Sequence, residues 1–299
     1  MVDLRPKQLI VVPCHSIWRQ SSDTAEENLG QKRSHWHLAE FQHEGNDHLA
    51  FIKHALIAIE TLIASLDVSI VIFSGGKTKA VAGEVSEASS YFYLTKKLLQ
   101  RVQCGKSIRW AFPDAAEIPE LCQKIIGRLH EKAGLSVDAL FAEYVHLEEF
   151  ALDSFDNLLY SIGRFKEITS VYPSNITIIG FGFKKRRFIE YHARAIDFPT
   201  GQINYIEVEP TPSYDDPVWL KNYFETLRTL EHRNALALFQ KDWYATREPL
   251  ASKKSARNPF NESHQYPLPL PHLESPDFQI ENDATYYNAS IKSKMPWSQ

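Results

Sequence analysis

Three short runs along the chain are apolar at nearly every position and end abruptly at a turn or a charge. Gln8-Leu9-Ile10-Val11-Val12 stops at Pro13, Ser69-Ile70-Val71-Ile72-Phe73 stops at Ser74-Gly75-Gly76, and Ile176-Thr177-Ile178-Ile179-Gly180-Phe181 stops at a basic run. Such runs suit strands buried on both faces, as in a parallel sheet. Tyr205-Ile206-Glu207-Val208 and Val145-His146-Leu147 are a weaker fourth and a shorter fifth candidate. The spacing changes to a helical period between them. From Asn46 to Leu66, apolar residues at 49, 52, 56, 59, 62 and 63 form a buried stripe. Further helices are predicted over 84–99, 152–169 and, broken, 216–241. Strands alternating with helices of this length read as βαβ units.

The fold class predicted is α/β: a Rossmann-like, doubly wound, mainly parallel sheet. Residues 1–250 form one domain, and the less periodic piece 106–143 reads as a helical insertion. From Ala251 onward Pro259, Pro267, Pro269, Pro271, Pro276 and Pro296 rule out a continuous helix. Phe260, Tyr266, Leu268, Leu270, Phe278 and Ile280 are interleaved with them, so 251–299 reads as an extended tail draped over the domain.

Composition narrows the setting. A net charge of −4 and a longest basic run of only Lys184-Lys185-Arg186-Arg187 give no footprint for nucleic acid. Three cysteines without metal or redox spacing point to a reducing compartment, and the charged start has no signal-peptide pattern. No apolar stretch approaches the roughly 20 residues of a spanning helix. A cytoplasmic protein with no membrane partner is expected.

Candidate chemistry falls in the loops after the strands. Ser74-Gly75-Gly76-Lys77-Thr78 precedes a helix beginning near Ser86-Glu87, and paired glycines there let backbone N–H groups turn toward an anion. The order is neither a Walker loop nor GxGxxG. The competing reading is a tight strand-to-helix connection, with Ser86 as cap and Glu87 in the first turn. In Glu148-Glu149-Phe150-Ala151-Leu152-Asp153-Ser154-Phe155-Asp156-Asn157, Asp153 or Ser154 can cap a helix. Asn157, a turn further in among apolar residues, needs buried partners. Lys184 and Arg187 follow a strand end and can complement a phosphate or carboxylate. Cys14-His15 also follows a strand end, but sequence neighbours rarely face each other, so a ligand-lining loop is favoured over a nucleophilic dyad. His35, His37, His43, His48 and His54 crowd twenty residues without a metal spacing, and no metal is expected.

These motifs share their order with a known family. Val12 to Trp18, Trp36 to Gln42, Phe73 to Thr78 with Ser86 to Tyr91, Glu149 to Leu159, Phe183 to Phe188 and Arg257-Asn258-Pro259-Phe260 together resemble the SanA/YdcF/ElyC-like family, most closely its soluble fungal branch. The resemblance implies a Rossmann-like fold and a cleft built from the glycine loop, Glu87, the Ser154/Asn157 helix and Arg187. Lys184 stands where bacterial members usually carry histidine, which implies charge pairing with an anion rather than chemistry at a neutral imidazole. One bacterial branch is associated with S-adenosylmethionine; no methyltransferase motif is present here. Bacterial members are often membrane-anchored, and no such anchor is expected here.

The leading expectation is an enzyme, a hydrolase or transferase, acting on a small anionic metabolite such as a nucleotide, a phosphorylated compound or an S-adenosylmethionine-like molecule. Gly75 and Gly76 would supply donors, Lys184 and Arg187 counter-charge, Glu87 or Glu149 acid–base chemistry, and Ser154 with Asn157 orientation. The alternatives are a non-catalytic sensor with the same pocket, and an interaction protein that works through its insertion and tail.

Overall fold

The computed structural model describes residues 6–20, 27–270, 273 and 278–298. Its centre is a five-stranded sheet in which every pairing is parallel, in the order β3-β2-β1-β4-β5. β1 is Gln8–Pro13, β2 Ser69–Ser74, β3 Val145–Glu148, β4 Asn175–Gly180 and β5 Ile203–Glu207. The three continuously apolar runs are β1, β2 and β4, the neighbouring central strands, and all five sequence-predicted strands are present. β5 at the edge alternates buried and exposed positions, which explains its weaker signal.

Side chains alternate along each strand, so each face builds its own core. Ile10, Val12, Val71 and Phe73 pack on one face under α1 (Asp47–Ala64), α2 (Glu87–Gln103), α3 (Glu117–Ala133) and α4 (Val137–Tyr144). α3 and α4 occupy the predicted insertion. Buried Ile118, Ile125 and Leu129 of α3 join the α1 and α2 cluster, so this segment completes the helical layer. The second predicted helix begins at Glu87 rather than 84, because Ser86 caps it.

Leu9, Val11, Ile70, Ile72, Ile176 and Ile178 face the other way, onto α5 (Ser154–Thr169) and a cover drawn from the C-terminal third. That cover includes Phe239, Tyr244, Leu270, Ile280, Ile291, Met295 and Trp297, all buried. A short helix, Leu250–Ala256, spans the position where composition changes, and Pro271 and Pro276 lie outside the described residues. The predicted 216–241 helix is continuous through residue 239, passing through a π-helical stretch at His232–Leu236.

The order of strands fixes where a site can form. The chain leaves β1 toward β2 and leaves β4 toward β5, in opposite directions, so the carboxyl ends of β1 and β4 open a crevice between diverging connections.

Candidate functional site

Pro13 ends β1 and Gly180 ends β4, and the residues just beyond them meet. Lys184 Nζ lies 3.4 Å from His15 Nδ1, and the His15 ring stacks on Phe181 at 5.4 Å and 14°. The ammonium also stands over the Phe181 and Phe183 rings, 5.4 and 5.9 Å from their centroids. Lys184 is half-buried and has no carboxylate within ion-pair distance among the described residues. Burial and then the Arg187 charge push its pKa down to about 7, against a smaller pull from Glu231 and Asp47. Burial, followed by Lys184, His54 and Arg187, holds His15 well below the usual imidazole range, so its ring is neutral.

Glu87 closes the crevice from the β2 side. It is the first residue of α2, 8% exposed, and accepts a 2.6 Å hydrogen bond from the Thr78 hydroxyl. Burial raises its pKa; the Thr78 bond and the Arg257, Lys79 and Lys184 charges oppose the rise. A Cβ on Gly75 would stand 2.9 Å from Glu87 Cβ and 3.1 Å from Cys14 Cβ, so only glycine lets these two loops approach. Cys14 donates to the Val12 carbonyl at 3.4 Å, and burial with the Glu87 charge raises its pKa well above the usual thiol value. It is a packed thiol rather than a thiolate nucleophile.

The paired glycines do not cradle an anion. Gly75 N–H donates to the Glu148 carbonyl at 3.0 Å and Gly76 N–H to the Ala151 carbonyl at 2.8 Å. In return, the carbonyls of Gly76 and Gly75 accept from the Glu87 and Ala88 N–H groups, and Ser86 Oγ accepts from Ser89 N–H. The donors assigned to a ligand and the free start of α2 are therefore consumed by each other and by the β3 loop. The loop is a tight strand-to-helix connection, and the Gly75 and Gly76 N–H groups expected to meet a ligand are already bonded.

The second acidic segment also sorts differently from its expectation. Glu148, the last residue of β3, sits beside Ser74 in the sheet register and is fully buried. Its Oε2 accepts from the Ser74 hydroxyl at 2.5 Å, and its Oε1 accepts from Phe150 and Ala151 N–H at 2.7 and 3.0 Å. Asn157 Nδ2 completes the knot, donating to Ser74 O at 3.1 Å and Oγ at 2.9 Å. Asn157 and Ser74 thus tie α5 to β2. Glu149 instead accepts from the Ser86 hydroxyl at 2.7 Å, at the foot of α2. Asp153 is the α5 cap, bonded by Asp156 N–H at 2.9 Å, and the Ser154 hydroxyl lies 2.7 Å from His192 Nε2. Glu148, His192 and Lys254, which binds Asp156 at 2.6 Å, were not singled out from sequence. For Glu148 the available signal was its place as the terminal residue of a strand.

Of the basic run, Lys185 pairs with Glu207 and Arg186 with Glu190 at the surface, while Arg187 is 8% exposed and lies 3.3 Å from Glu231. Arg187 already has a carboxylate partner, so Lys184 carries the uncommitted charge. Arg187→Ala should cost about 3 kcal/mol of stability by taking from the largely buried Glu231 carboxylate its guanidinium partner. Urea unfolding of the variant measures this; a midpoint equal to that of the wild type would show that the pair contributes nothing.

Among the described residues no three His, Cys, Asp or Glu side chains stand together as a metal set. His54 and His48, from the histidine-rich stretch, are buried with Nε2 against the Val208 and Gln31 carbonyls. S-adenosylmethionine fits these residues poorly. Its sulfonium is a cation, while the crevice already holds Lys184 and Arg187, and the glycine N–H groups that would meet its nucleoside are spent.

No helix among the described residues is long and apolar enough to cross a membrane. No family model matches the chain, and no solved structure matches it. The chain is 47% identical over 296 residues to "Uncharacterized protein YOR238W" of Saccharomyces cerevisiae, with 97% of each sequence covered. Identity at this level across essentially the whole length of both means that the chain belongs to the YOR238W family.

Proposed function

We propose that the chain binds a small anionic metabolite in the crevice between the carboxyl ends of β1 and β4, and that it is an enzyme in which Glu87 moves the proton. The observation that carries this reading is Lys184: a half-buried ammonium at the switch point, without a carboxylate partner among the described residues, held next to a neutral His15. A buried cation is costly unless something compensates it, and an anion supplies that compensation. Glu87 faces the same space under the influence of Lys184, and burial raises its pKa above the usual carboxylate value, the kind of perturbation found in carboxyl groups that exchange protons. The resemblance to the SanA/YdcF/ElyC-like family supports the same location. Cys14, Cys104 and Cys122 are all free, which supports a reducing, cytoplasmic setting.

Mass spectrometry of the intact chain under non-denaturing conditions tests the reading. A small anion should travel with the wild-type protein through purification and be missing from Lys184→Met. An adduct equally abundant in both would place the ligand elsewhere.

A further inference from the structure

Three cations act on Glu87, and they come from three parts of the chain: Lys79 after β2, Lys184 after β4, and Arg257 from the C-terminal segment. Arg257 is brought there by a set of clasps. Lys254 binds Asp156 at 2.6 Å, Lys77 binds Glu262 at 2.5 Å, and Arg257 Nη1 donates to the Leu152 carbonyl at 3.0 Å. Asn258 bridges the turn, accepting from Glu262 N–H at 2.9 Å and donating to the Glu262 carbonyl at 2.8 Å. Each clasp lands on a loop of the site: Lys77 follows the paired glycines, and Leu152 and Asp156 flank the cap of α5. The segment 250–262 therefore lies against the loops that follow β2 and β3, on the Glu87 side of the crevice. Arg257 keeps an exposed guanidinium there that has no carboxylate partner among the described residues.

We propose that Arg257 is a ligand-contacting residue that makes the site selective for a phosphate monoester over a monocarboxylate. This rests on the anion-site reading above. Lys184 alone balances one negative charge. Arg257 adds a second cation, with a planar fork of donors, and the two together are matched by a doubly charged group that presents several oxygens. A carboxylate, with one charge and two oxygens, answers fewer of the three cations around Glu87 than a phosphate monoester does.

The test uses the full chain at pH 7 with two hydroxylated three-carbon probes, the phosphate monoester glycerol 2-phosphate and the monocarboxylate lactate, in calorimetric titrations. Wild type should prefer glycerol 2-phosphate. Arg257→Gln should lose at least tenfold affinity for it and less than threefold for lactate, and Arg257→Lys should recover only part of the loss. Wild type that binds neither probe overturns the anion-site reading itself. Wild type that prefers glycerol 2-phosphate while Arg257→Gln binds it equally well overturns the role of Arg257 and leaves that reading standing. Arg257→Gln and Arg257→Lys chains that both melt well below wild type would make the residue a structural clasp, and the inference would fall.

Discussion

Glu148→Ala is expected to destabilise the protein by about 3–5 kcal/mol, while Glu148→Gln should leave it close to wild type at neutral pH. The alanine strands three buried donors at once: the Ser74 hydroxyl and the N–H groups of Phe150 and Ala151. Each unsatisfied donor costs roughly 1–3 kcal/mol, and the cavity adds to it. Glutamine keeps an oxygen for the two N–H groups. The pH dependence gives a second readout. Burial raises the Glu148 pKa to about 8, so the folded chain holds a proton there that the unfolded chain releases at ordinary carboxylate pH. A carboxyl raised in the folded state stabilises at low pH and loses that contribution as pH rises through the folded value. Wild type should therefore lose stability relative to Glu148→Gln between about pH 5 and pH 8. Thermal melts across that range measure it; parallel pH profiles would show that Glu148 does not titrate as a buried acid.

Lys184→Met is expected to abolish anion binding and, at the same time, to raise the melting temperature. A base whose folded pKa is depressed penalises folding once the unfolded chain is protonated, and that penalty is complete below about pH 7. Methionine fills similar volume against Phe181 and Phe183 without a charge to desolvate. The gain in stability with loss of function is the pattern of a residue retained for binding. Anion binding by wild type should weaken by up to about tenfold per pH unit above pH 7, because the ligand must then bring a proton to Lys184. A variant that melts lower than wild type and binds anions normally would make Lys184 a packing residue.

The layered fold was legible because its signals are repeated and local. β1, β2 and β4 are buried on both faces and therefore apolar at nearly every position, a pattern that short half-buried strands such as β3 and β5 dilute. Ser86 and Asp153 mark helix starts by their own side chains. The site was legible in its outline only. Sequence places Cys14, Glu87 and Lys184 at strand or helix ends, where a switch point gathers them. It does not say where a hydrogen bond goes once they arrive. Gly75 and Gly76 suit an anion cradle equally well until the Glu148 and Ala151 carbonyls are seen to take their N–H groups. Glu148 and Glu149 are adjacent and chemically identical; only the strand register turns one into the buried knot with Ser74 and the other toward Ser86. Arg187 looked like free counter-charge because its partner, Glu231, lies 44 residues away on the helix Pro217–Glu231. Arg257 is the converse case, since a proline-rich tail gives no hint of which loops will hold it.

If Lys184 is the counter-charge of an anion site, binding an anion above pH 7 must draw a proton onto it. Sulfate is a suitable probe because its own charge does not change near neutrality. Calorimetric titration of the full chain with sulfate at pH 8, in two buffers of different ionisation enthalpy, reports the protons taken up per anion bound. Wild type should take up close to one proton per sulfate, and Lys184→Met should not bind it. Sulfate binding without proton uptake, or unchanged in Lys184→Met, would contradict it.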